Sequence, residues 1–415
     1  MLAWRAFKAG QMTPIEADNP APTIRRAVII TALGLAQILS WGTSFYFLAV
    51  FANPIARETG WPYAWVVAGV SLGLVTAGFI SPRVGREIGQ RGGRPVLAGG
   101  AMLFAAGLAL IGASQNLSWY FAAWVVLGAG MGIGLYDGAF ATLGAIYRKD
   151  ARGAIAAVTL FGGFASTVCW PLSALLIEQF GWRGACFVYA AIHLGIAAPV
   201  FLLALPKSVP AASSNAADRN TRVRPEKLET PAFVLLASVV TIGASILALM
   251  GTHLLHLLES RGISTASAVL FGMLIGPSAV GARMIESFAG RHYHPFWTMA
   301  ASVGMVAAGA FLLTRDIQWA APAIVLYAAG NGIGTIARGS VPLALFGPSR
   351  YPALMGRLGL PIMLAMAAAP FIGAWAFEVG GSAWMIAILN GLAFLNVALV
   401  AVLWLSSRAL RQRGA

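Results

Sequence analysis

The chain has 415 residues, 59% of them hydrophobic and 10% charged, with a mean hydropathy of +0.77 and a formal net charge of +14 at pH 7. So few polar groups cannot cover a water-soluble globule of this size, so composition excludes that class and calls for lipid around the chain. The two cysteines, Cys169 and Cys186, are too few for a disulfide framework and read as small apolar packing residues.

Residues 1–24 read as a polar tail with several prolines, lacking the early apolar core and small-residue cleavage site of a removable signal peptide. Twelve apolar runs follow, each long enough to cross about 30 Å of hydrocarbon as a helix. They lie at 25–51, 62–82, 95–114, 117–147, 153–180, 184–205, 231–258, 264–288, 296–314, 317–346, 353–380 and 382–406. Run length and the lack of strict alternation favour helices over barrel strands, so the fold class is an all-α membrane protein. Between the sixth and seventh runs, Pro206–Thr230 is rich in Pro, Ser, Asn and charge, and cannot bury enough surface to fold alone. It predicts a linker at 207–230 between a bundle at 25–206 and a second at 231–406, with a short tail at 407–415.

Cations mark the sides. Twenty-one of the 28 Lys and Arg residues fall in the tails and in alternate connections, four (Arg57, Arg183, Arg261 and Arg315) fall on the opposite side, and Arg283, Arg338 and Arg357 lie inside runs. Cytoplasmic loops retain positive charge, which predicts cytoplasmic termini and connections at the basic side. Because the cations follow topology and no basic domain stands apart, no nucleic-acid partner is expected.

Two stretches 200 positions apart nearly repeat: Gly130-Met-Gly-Ile-Gly134 and Gly330-Asn-Gly-Ile-Gly334. The same offset pairs Glu178 with Glu378 and Gly181 with Gly381. Two equivalent halves of apolar segments are the signature of a carrier that moves a solute by rocking one half against the other. The glycines of the fourth run predict close helix packing, since a phosphate-cradling loop would need a preceding strand and a helix start where the sequence offers a continuous helix.

Charges inside apolar spans are costly and therefore candidate functional groups. Asp137, Arg283, Glu286, Arg338 and Arg357 fall in the basic-side third of their spans. The readings for them are ion pairs that close an inner gate, side chains that simply reach the headgroups, or arginines that grip an anionic solute. Asp137, Glu286 and Arg357 are assigned to coupling or gating, and Arg283 and Arg338 to the solute. Nearer the midplane, Gln37, Trp41, Tyr46, Trp170 and Asn331 are the expected cavity lining, suited to a planar or partly apolar solute. His253, His256 and His193 can take a proton near neutral pH, and His253 is added to the solute candidates. Neither a zinc ligand set, an ATP-binding loop, a nucleophile with a base nor a redox motif is present, so neither a cofactor nor enzymatic chemistry is expected.

Residues 25–406, with six spans on either side of a polar linker, resemble the major facilitator superfamily. The segment Gly85-Arg-Glu-Ile-Gly89-Gln-Arg91-Gly-Gly93-Arg94-Pro95 is similar to its cytoplasmic signature, with Gly89-Gln90 where an Asp-Arg pair is usual. Gly281-Ala-Arg283-Met-Ile-Glu286, then Gly290-Arg291, is a looser copy, and Trp170-Pro171 through Glu178-Gln-Phe-Gly181-Trp182-Arg183 resembles the fifth helix and its following loop. Ala279-Val-Gly-Ala-Arg283 is also similar to the eighth helix of monocarboxylate and oxalate-formate carriers, with Ala279 where mammalian-type members have Asp. The resemblance implies two pseudo-symmetric six-helix bundles, a monomeric secondary transporter of the inner membrane, a solute-binding Arg283 and protons as a candidate coupling ion. A small organic anion, carboxylate and aromatic by preference, is the leading solute. Export of drug-like or amphipathic compounds is the alternative.

Overall fold

Hydrocarbon offers no partners to backbone N–H and C=O groups, so a chain that crosses it repeatedly must satisfy them within helices. The computed structural model describes residues 23–207 and 229–413, and every regular element among them is helical. The expected tail at 1–24 lies almost wholly outside the described residues, as does all but the ends of the expected linker at 207–230.

The first span is α1 (Thr23–Gly42) and α2 (Leu48–Thr59), separated by turns at 43–47. The second and third are α3 (Tyr63–Arg91) and α4 (Gly93–Gly112), and the fourth joins α5 (Leu117–Gly134) to α6 (Tyr136–Tyr147). The fifth joins α7 (Ala151–Gly162) to the start of α8 (Ala165–Ile192). The rest of α8, a π-helical turn at His193–Ala197 and α9 (Ala198–Ala204) form the sixth. In the second half, α10 (Glu229–Glu259) is the seventh span, and α11 (Thr265–Met273) with α12 (Ile275–Ala289) the eighth. The ninth is α13 (Pro295–Leu312), the tenth α14 (Ala320–Phe346), and the eleventh and twelfth form α15 (Tyr351–Arg413).

The repeat read in the sequence is a repeat of structure. Gly181 and Gly381 have φ of 68° and 63° and reverse the chain between spans 5 and 6 and between spans 11 and 12. That left-handed backbone is open to glycine at little cost. The paired glycines of the two repeats make matching contacts. A Cβ on Gly132 would overlap the Ala77 backbone of span 2, and one on Gly332 the Ala279 backbone of span 8; Gly130 and Gly330 likewise press on spans 3 and 9. Two cations of the sparse side also have equivalent duties. Arg183 donates to the carbonyls of Gly112 and Ser114 past the end of α4 (2.9 and 2.6 Å), and Arg261 to those of Leu313 and Arg315 past α13 (2.6 and 2.5 Å). Both satisfy orphaned C-terminal carbonyls and oppose the negative end of a helix dipole.

The structure departs from the sequence reading at four places. Span 1 runs to Thr59. Span 2 runs to Arg91, so Gly85–Arg91 are helical turns and the connection shrinks to Gly92; Ser81, Gly85 and Ile88 are buried, and packing carries the helix past the hydrocarbon. Span 4 is not continuous but breaks at Leu135, within the glycine run, where helix propensity is low. The backbone of α15 continues to Arg413, where a tail was expected.

The halves meet at the basic side. A Cβ on Gly85 would overlap the Pro352 carbonyl and the Gly356 backbone, Gly78 approaches Leu360 and Met363, and Gly144 lies against Tyr351. On the sparse side α2 packs on α3 and α8 of its own half, and α11 on α10, α12 and α14 of its own. Gly85→Val should force spans 2 and 11 apart and destabilise the protein by about 1–3 kcal/mol. A cysteine replacing Ser81, 1% exposed, should then become reactive to a maleimide. Gly89→Val, where a Cβ would stand an ordinary 3.6 Å from Pro352, should do neither.

Candidate functional site

Aromatic side chains fill the break in span 1. The Trp41 ring lies 5.0 Å from Tyr136 and 6.2 Å from Tyr46, and Tyr46 meets Trp170 edge-on at 6.2 Å. The Trp170 indole N–H donates to the Tyr46 carbonyl at 3.3 Å. From the second half, Arg283 on α12 reaches toward this group, its Nε donating to the Gly332 carbonyl on α14 at 3.1 Å. The junction of α7 and α8 leaves the space: a Cβ on Gly163 would overlap a terminal nitrogen of Arg283, and one on Gly162 the Tyr136 hydroxyl. Arg283 is 7% exposed and within electrostatic reach of the Tyr46 and Tyr136 hydroxyls. Among the described residues it forms no ion pair, and its terminal nitrogens have no hydrogen bond. Asn331, Thr335 and Arg338 follow at helical spacing on one face of α14, all half-buried.

Four residues expected at the solute are occupied by the protein itself. The Gln37 amide donates to the Gly134 carbonyl at the break of span 4 (2.7 Å), and its oxygen accepts the Trp41 indole N–H (3.1 Å), with both side chains buried. The two hold the break that presents Asp137. His253 bonds the Pro370 carbonyl at 2.9 Å, bridging spans 7 and 11 within one half. Arg338 donates to Asp137 across the halves. In each, a polar group in hydrocarbon takes the nearest protein partner. His193 likewise bonds Thr43 (2.9 Å) and stacks on Phe104, and His256 packs against Phe377.

Two polar ties join the halves at the basic side. Asp137 stands in the first turn of α6, where the helix dipole favours a carboxylate, and pairs with Arg338. Its second oxygen, Oδ2, is buried without a hydrogen-bond partner, as is Arg338 Nε. In the second tie Arg152, at the start of α7, donates to Glu286 Oε1 (3.0 Å), Thr298 Oγ1 (2.9 Å) and the Tyr293 carbonyl (2.5 Å). Thr298 donates to Glu286 Oε1 at 2.6 Å, and the Tyr293 hydroxyl to Oε2. Partial burial, then the hydrogen bond to Glu286 and its charge, pushes the Tyr293 phenol up to about 12, so it remains a donor at neutral pH. Arg357 is exposed and forms no ion pair among the described residues, so it joins neither tie; Glu178 and Glu378 are exposed as well.

The sequence reading missed Arg152, Tyr293, Thr298, Tyr136 and the Gly162-Gly163 pair. Arg152 was counted with the basic connections. The signal that points to it is Glu286 itself, since a buried carboxylate requires a cation, and the start of a neighbouring span is where one can reach.

The Major Facilitator Superfamily profile matches residues 33–342. Human monocarboxylate transporter 11 is 30% identical over 186 residues, 44% of this chain and 37% of that protein, so the chain matches well under half of that relative's length. The gentisate transporter of Corynebacterium glutamicum is 26% identical over 386 residues, 86% of this chain and 83% of that protein. Among solved structures, the human organic anion transporter MFSD10 superposes with a TM-score of 0.69 at 17% identity, covering 92% of this chain and 100% of its own. The transporter FucP in its outward conformation gives 0.68 at 13% identity, covering 93% and 98%. At these identities the two structures share the fold.

The Arg152–Glu286 tie has a measurable energy. A double-mutant cycle with Arg152→Gln and Glu286→Gln, read by unfolding in detergent, should return a coupling of about 1–3 kcal/mol. The same cycle on the exposed Glu87–Arg91 pair (3.0 Å) should return only about 0.3–0.5 kcal/mol.

Proposed function

The chain belongs to the Major Facilitator Superfamily and is a multi-pass membrane transporter, not an enzyme, and from that premise we propose that it carries a small organic carboxylate, preferably aromatic, by alternating access with proton coupling. One observation carries the reading: Arg283 is buried between the halves and, among the described residues, pairs with no carboxylate. A lone cation in low dielectric is costly unless a counter-charge arrives. The guanidinium matches a carboxylate in two-pronged fashion, with Nε anchored on Gly332 and the terminal nitrogens left for the solute. Tyr46, Tyr136 and Trp170 offer ring faces and edges for an aromatic body, and Asn331 an amide for its polar substituents. The gentisate transporter, whose named solute is an aromatic carboxylate, supports the same class.

Coupling is assigned to Asp137. Its unpartnered Oδ2 can take a proton, which neutralises the carboxylate, releases Arg338 and dissolves one of the two ties across the basic side. Glu286, held by Arg152, acts as the second tie and not as a solute ligand. The proposal sets the basic side in the cytoplasm of an inner membrane, with both termini there, and has one copy of the chain as the working unit. The conformation described is then closed to the cytoplasm.

Arg283→Gln should weaken binding of benzoate-type and dihydroxybenzoate-type anions by roughly a hundredfold, with Arg283→Lys intermediate, as measured by binding to the purified protein. Undiminished anion binding in Arg283→Gln would overturn the reading, and tight binding of hydrophobic cations by the same variant would favour export of amphipathic compounds. In proteoliposomes, Asp137→Asn should keep solute exchange and lose accumulation driven by a pH gradient. Accumulation equal to the parent's would remove Asp137 from the coupling step.

A further inference from the structure

On the outer flank of the first half, away from the seam between halves, a groove of about 290 Å³ runs where spans 2, 3 and 4 meet near the basic side. Its wall is apolar, built from Val84, Val96, Leu103 and Ile133, and Arg83, Glu87 and Arg91 border it. These three stand four residues apart on α3, so they share one face of the helix. Glu87 is paired with Arg91 at 3.0 Å, whereas Arg83 is exposed and forms no ion pair among the described residues.

The groove contains a second unexplained feature. Gly99 lies in the middle of α4, where glycine weakens a helix, and no atom stands within 4 Å of the position its Cβ would take. Most glycines of spans 3 and 4 touch a neighbour, as Gly100 does with Ile133 and Gly107 with Leu127. Helix packing therefore does not account for Gly99, and its missing side chain leaves room in the groove.

We propose that this groove binds an anionic phospholipid, with its phosphate on Arg83 and Arg91 and one acyl chain lying along Val96, Gly99, Leu103 and Ile133. Arg83 stands just past the basic-side end of the apolar run of span 2, where an arginine stem extends to the headgroup layer. The charge sum decides the lipid. Arg91 already neutralises Glu87, which leaves one positive charge for the phosphate and no free carboxylate for a zwitterionic ammonium group. The opposite face of α3 bears Ser81 and Gly85, which seal the seam with span 11. A lipid held on the outer face backs the helix that closes the basic side.

The test uses the full chain, delipidated in detergent, with dioleoyl phosphatidylglycerol, phosphatidylethanolamine or phosphatidylcholine added and bound lipid counted by native mass spectrometry. Phosphatidylglycerol should be retained most, and retention should fall about fivefold in Arg83→Gln. It should be lost in Gly99→Trp, which fills the groove without changing charge. Gly304→Trp, at another position with open space around it, should retain lipid as the parent does. Equal retention of the three lipids overturns the proposal, as does phosphatidylethanolamine binding as well as phosphatidylglycerol. So does retention unchanged in both Arg83→Gln and Gly99→Trp. Should Gly99→Trp fail to fold, Gly99→Leu and Arg83→Gln decide the matter by the same readout.

Discussion

A charge enclosed by helices and lipid must be answered by another charge, and that requirement organises this molecule. Asp137 is answered by Arg338, and Glu286 by Arg152 with help from Thr298 and Tyr293. Both answers cross from one half to the other, so neutralising buried charge also joins the halves at the basic side. Arg283 is the exception. It sits buried between the halves, among tyrosines, with a backbone carbonyl as its hydrogen-bond partner. A solute that supplies the missing negative charge therefore enters the same electrostatic balance that holds the halves together, and binding has a physical means of acting on conformation.

The duplicated scaffold supplies equivalence, and the side chains break it. Glycines at matching positions let spans 4 and 10 lie against their neighbours in the same way in each half. On that common frame the first half presents aromatic rings and Asp137, and the second presents Arg283, Glu286 and Arg338. The proposed recognition chemistry is divided between the halves, so neither half alone holds both the ring surface and the cation. Local irregularity marks the same places: the break at 43–47 carries Tyr46, the break at Leu135 precedes Asp137, and the junction at 162–164 admits Arg283. Non-helical backbone at membrane depth is tolerated where side chains or a cavity satisfy it, and the Gln37 amide on the Gly134 carbonyl does so here.

Much of the fold was legible because its signals are local and strong. Apolar run length gave the crossings, cation placement distinguished the two sides, and the 200-residue offset paired Gly181 with Gly381, which the structure shows turning the chain alike. The site was legible only in part. Arg283 stood out as a charge in an apolar span, whereas Gln37 and Trp41 stood out by depth and His253 by its imidazole, and these three are bonded within the protein. Depth along a helix says which residues lie near the midplane. It does not say which way they face or what they touch.

The sequence by itself determined a membrane-spanning helical chain, its two equivalent halves and the short roster of charges that such a chain must neutralise, because hydrophobicity, length and repetition act along the chain. The tertiary structure decided which charge meets which. Arg152 and Arg338 became ties, and Arg283 has no acidic partner among the described residues, because pairing depends on approach between helices more than a hundred residues apart in sequence, which no local pattern encodes.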